Sequence, residues 1–198
     1  MTDSDASPGN GEPAAASSDG AEFLAICLND HLTGASTGTE LLGRAVRARE
    51  SHDGGTALAE LAQQGEQDRE SLIRIMMDLK VSSDHAKVAI GRLAGKAGRL
   101  KLNGRLFSRS PLSDVLELEA LLVGVERKAA CWRVLRVLAE TDGRLHAEHL
   151  DTLLERAEQQ VAILEEMRMV AAAGTFGVQS FTVPVRPGGP RSLRYQGL

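Results

Sequence analysis

Four stretches of about 25–30 residues carry apolar side chains at three- and four-residue spacing, and this long helical period constrains the chain most. Residues 21–50 place Leu24, Leu28, His31, Ala35, Gly38, Leu42 and Ala45 on one stripe. Residues 56–80 do the same with Leu58, Leu61, Gly65, Asp68, Leu72, Ile75 and Leu79. In residues 112–140 the inward face is read as Val115, Glu119, Leu122, Glu126, Ala129, Arg133 and Val137. Residues 145–173 bring Leu150, Leu153, Ala157, Gln160, Leu164 and Ala171 inward. Asp53-Gly54-Gly55 and Thr141-Asp142-Gly143 are short breaks, so the first and last pairs are expected to be antiparallel hairpins. Thr56 is read as the cap of the second helix, Ser110-Pro111 as the start of the third and Gly174 as the end of the fourth.

Composition agrees with helix-on-helix packing. Aromatic residues make up 3% of the 198, and Leu, Ala, Val and Met supply the core material. Residues 1–20, rich in Ser, Asp, Gly and Pro, cannot bury a core and are expected to be disordered. The segment from residue 174 to 198 contains Pro184, Pro187, Gly188, Gly189 and Pro190 and reads as an extended, flexible tail, with Phe176, Phe181, Val183 and Val185 available to dock on the bundle. Nothing resembles a signal peptide or a bilayer-spanning run, so a cytoplasmic protein is expected. Cys27 and Cys131 fall inside helical patterns and read as small buried hydrophobes rather than zinc ligands or a disulfide framework.

Between the hairpins lies a basic segment, residues 81–111, with its own helical pattern over about 84–106. Residues 85–113 carry seven cations and no acid. Setting aside this stretch and both tails leaves about ten excess negative charges on the bundle. One side of the basic helix is apolar, while Arg92, Lys96 and Arg99 cluster away from it. The plainer reading is a basic strap on its own acidic bundle; the sharper one is an anion-binding face for nucleic acid or a membrane surface. Few aromatics and a net charge of −4 disfavour nucleic acid. The length of this segment suits a crossover that returns the chain to the far end and sets the third helix parallel to the second. A flat five-helix array satisfies the same lengths.

Hairpin, long helical crossover and hairpin, with carboxylates at mid-height, together resemble the ferritin-like superfamily over residues 21–173. The resemblance implies an all-α four-helix bundle and, in catalytic members, a dinuclear metal centre. There, one Glu on each of two helices joins a Glu-x-x-His on each of the other two. Glu40 stands as the first carboxylate, Glu119 or Glu126 as the third. Glu66 is followed by Arg69 and Glu155 by Glu158, so both motif histidines are missing and a cation fills one of their places. The motif implies a degenerate metal site.

Counting along the hairpins puts Glu40, Asp68, Arg69, Glu126 and Gln160 at one level, a polar layer in mid-bundle. As structure, this layer is a set of ion pairs, Arg69 with Glu126 for example, that fixes helix register. As chemistry, Glu40, Asp68 and Glu126 are hard oxygen ligands for Mn, Mg or Fe(II). His31 reads as a core histidine near Arg133, and His146 and His149 as exposed residues at a helix start. Gly91 to Lys96 is one residue short of a phosphate loop, and Gly34-x-x-x-Gly38 reads as a place where another helix comes close. There is no nucleophile motif. The expected function is therefore a structural or interaction role without catalysis, with metal or anion binding as the alternatives. A protein partner would be met through the Arg-bearing C-terminal tail, and self-association suits such a bundle.

Overall fold

Residues 14–49, 55–83, 110–178, 180–182 and 194–196 are described by the computed structural model of the chain. They form four helices, α1 (Ala14–Arg49), α2 (Gly55–Asp78), α3 (Pro111–Leu138) and α4 (Ala147–Phe176), and a short antiparallel ribbon. The ribbon pairs β1 (Ser180–Thr182) with β2 (Arg194–Gln196), Phe181 opposite Tyr195. The basic segment at 84–109, with Arg92, Lys96 and Arg99, lies outside the described residues, as do residues 1–13. Among the described residues no helix is long and apolar enough to cross a membrane.

Local chemistry sets the ends. Ser110 caps α3 in a capping box with Ser113, and Pro111 occupies the first turn, where its missing N–H costs nothing. Asp142 accepts from the Arg144 backbone N–H and from its guanidinium, closing the α3–α4 turn, while Arg144 Nη1 donates to the carbonyl of Leu79, just past the end of α2. That bond satisfies a carbonyl the end of α2 would otherwise leave open. At the same end Val81 N–H returns to Met76 O at 2.8 Å, with Lys80 left-handed at φ 59°.

Several expected boundaries move. α1 begins at Ala14, seven residues before the expected start, because Ala14-Ala15-Ala16 are strong helix formers. Thr56 lies inside α2, which starts at Gly55. α4 runs through Gly174 and stops at Gly177, whose φ of 74° supplies the left-handed cap. Beyond it the ribbon replaces part of the extended tail, while Phe176, expected to dock, is exposed.

Contacts fix the helix directions. Gly65 of α2 meets Leu42 of α1, and Asn29 donates to Ser82 O, so α1 and α2 run antiparallel. Arg136–Asp151 and Glu119–Arg168 give the same sense to α3 and α4. Leu28 and Leu32 share a cluster with Trp132 and Leu135, whereas Leu42 and Ala45 share one with Leu118 and Leu121. α3 therefore runs opposite to α1, and α2 and α3 point the same way from diagonal corners. The inward face of α3 is rotated from the expected one: Val115, Leu118, Leu121, Ala129, Cys131, Trp132 and Leu135 are buried, while Arg133 and Val137 are exposed.

Candidate functional site

The apolar core is divided in two. One cluster joins Leu28, Leu72, Met76, Trp132, Leu135 and Leu150 with their neighbours; the other joins Leu42, Leu58, Leu61, Leu118, Leu121 and Leu164. Between them lie the buried polar residues Ser36, Asp68, Ser71 and Gln160. Ser36 and Ser71 return their hydroxyls to carbonyls one turn back on their own helices. Asp68 and Gln160 instead face across the bundle.

Asp68 is 2% exposed, and both its oxygens are taken. Oδ1 accepts from Arg156 Nη1 at 2.9 Å, while Oδ2 accepts from Lys128 Nζ and from Gln160 Nε2 at 3.2 Å. Gln160 Nε2 also reaches Gln64 Oε1 at 2.9 Å, its Oε1 accepts from Lys128 Nζ, and Arg156 Nη1 contacts Gln67 Oε1 at 3.4 Å. α2, α3 and α4 each contribute to this network. Burial pushes the Lys128 ammonium below the ordinary lysine range, opposed by Asp68, and the Arg156 charge adds to the depression. One carboxylate faces two cations, so the centre carries one net positive charge.

The expected polar layer is therefore present with a changed membership. Asp68 and Gln160 belong to it. Glu40 and Glu126 are half-buried and make their contacts elsewhere, and Arg69 pairs with Glu66 on its own helix at 3.0 Å rather than with Glu126. Among the described residues no group of three or more His, Cys, Asp or Glu is placed to hold a metal ion. Lys128 and Arg156 were not foreseen. The rotated face of α3 hid Lys128; placing the chain's single Trp inside would have turned it inward. Arg156 could have been found as the cation one turn before inward Gln160.

No family model, curated protein or solved structure matches the chain.

The remaining candidates separate cleanly. His31 is half-buried beside Arg127 and Asp30, not Arg133; burial first and the Arg127 charge second lower its pKa. Gly34 leaves room for the Arg127 side chain, which crosses it to pair with Asp30, so a side chain rather than a helix makes the close approach. At Gly38 an added Cβ would meet nothing within 4 Å. His146 and His149 line a cleft of about 270 Å³ between α2 and α4 with Arg74, Asp78 and Arg144. Cys131 is buried as expected, but Cys27 is exposed. Trp132 Nε1 and two guanidinium nitrogens of Arg44 are buried without a hydrogen bond among the described residues.

Proposed function

We propose that this chain is a ferritin-like four-helix bundle acting as a structural or interaction module, without catalysis, and that its mid-bundle centre is an ion-pair layer. The single observation that carries this reading is the saturation of Asp68 by Lys128, Arg156 and Gln160. A metal ion would have to displace two cations from Asp68, the one buried carboxylate among the described residues, and would add charge to a positive centre. Removing the Asp68 carboxylate would leave two cations uncompensated in the bundle's centre, which is how such a layer enforces one helix register.

The shared direction of α2 and α3, with antiparallel pairing inside each hairpin, supports the ferritin-like arrangement in which residues 81–111 form the crossover. We place the protein in the cytoplasm, where Cys27 and Cys131 persist as free thiols.

The test is elemental analysis of the full chain after anaerobic loading with Fe(II) and Mn(II) and desalting, with Asp68→Ala and Glu126→Ala alongside. No retained metal in the wild type is the expected result. About two retained equivalents, lost in both variants, would establish a metal centre built on Glu40, Asp68 and Glu126 and overturn this reading.

A further inference from the structure

α3 has a second apolar face. Leu116, Ala120, Val123, Ala130, Val134 and Val137 are all exposed, Val123 at 67% and Val137 at 65%. With Arg127 between Val123 and Ala130, they recur at alternating four- and three-residue steps over roughly 30 Å of helix. They lie on the side of α3 opposite Leu118, Leu121, Trp132 and Leu135, so no core packing accounts for them. Arg127, the one polar member, is drawn aside to Asp30 of α1. The face continues onto α1: the register set by Asp30 and Arg127 brings exposed Phe23 level with Val134, and exposed Ile26 level with the step between Ala130 and Val134.

Charge along α3 is equally ordered. Its first sixteen residues contain Asp114, Glu117, Glu119 and Glu126 and no base; its last twelve contain Arg127, Lys128, Arg133 and Arg136 and no acid. Such polarity complements the helix dipole. It also makes the helix complementary to itself only when a second copy runs the other way. Laid antiparallel about a point near Glu126 and Arg127, Leu116 meets Val137, Val123 meets Ala130, and Glu119 comes level with Arg133. A parallel pairing would stack acid on acid and base on base.

We propose that the outer face of α3 is an interface at which two copies of this chain pair antiparallel about a two-fold axis. The seam has the 3.5-residue repeat of coiled coils, and two-fold symmetry brings the same patch from both copies. Phe23 and Ile26 of each copy then extend the apolar contact over the acidic half of the other's α3. This rests on the reading of the chain as an interaction module, but metal retention and self-association are measured separately, so either can fail alone.

Sedimentation velocity on the full chain tests it. The wild type is expected to show about twice the 21.1 kDa chain mass at tens of micromolar. Val123→Glu and Val134→Glu, both at exposed positions, should each give monomers with unchanged helix content. Glu119→Lys and Arg133→Glu should each weaken association alone and restore it when the two variants are mixed. A wild type that stays monomeric at about 200 µM would overturn the interface, since a face serving a different protein leaves the pure chain monomeric. A dimer untouched by both valine variants would overturn it too, by locating self-association elsewhere. Failure of the mixed charge variants to associate would overturn the antiparallel pairing.

Discussion

Asp68 and Lys128 stand on helices at diagonal corners of the bundle, and their side chains meet across its centre in a carboxylate–ammonium pair. The Asp68 side chain is 3% exposed and that of Lys128 19%, so the pair is held away from bulk water. Asp68→Asn would leave the two cations facing an uncharged amide. A loss of about 3 kcal/mol of stability is expected, read as a lower urea midpoint. The double variant Asp68→Leu with Lys128→Met should lose less than the sum of the single changes.

Lys80 ends α2 in a left-handed conformation, φ 59°, where a side chain is unfavourable. Lys80→Gly should raise stability by about 1 kcal/mol, seen as an upward shift of the thermal midpoint.

Gly38 occupies the interior of α1 with open space around it. Gly38→Ala should therefore stabilise by about 0.5–1 kcal/mol. Gly34→Ala should gain less, because the new Cβ would lie 2.5 Å from Arg127 Nη1 and displace the flexible end of that side chain from Asp30. Parallel urea titrations of the two variants make the comparison.

Burial first, and neighbouring Cys27 second, push the Cys131 thiol up to about 12. The folded protein keeps this proton above pH 9, while the unfolded chain releases it. Unfolding is therefore favoured as pH rises, by about 1.4 kcal/mol per unit between about 9 and 12. Lys128, with its pKa lowered, acts in the opposite sense as pH approaches the ordinary lysine range, because there the unfolded chain holds the extra proton. Comparing wild type with Cys131→Ala at several alkaline pH values isolates the thiol; equal slopes would refute its role.

The helices of α2 and α4 were legible because each has one apolar face. Leu58, Leu61, Asp68, Leu72 and Ile75 on one, and Leu150, Leu153, Ala157, Gln160 and Leu164 on the other, are buried where their spacing places them. α3 misled because it has two. With Leu116, Val123, Val134 and Val137 facing solvent, the sequence offers no polar side to mark the outside, and the inward stripe turned towards Glu126 instead of Lys128. A polar layer at mid-height could be foreseen from Asp68 and Gln160. Its ion-pair partners could not, because one turn of helix separates a long cation that reaches the centre from one, such as Arg69, that pairs along its own helix.

The division of the core gives the molecule a weak end and a strong one. Among the described residues, eleven buried neighbours share a cluster with Trp132, where Arg144 also ties the α3–α4 turn to the end of α2, against a cluster of seven at the end where α3 begins. Hydrophobic burial sets local opening energies, so the bundle should splay first around Leu42, Leu58 and Leu118, like a fork opening from its tines. The charged layer marks how far that opening can travel before Asp68 must leave its cations.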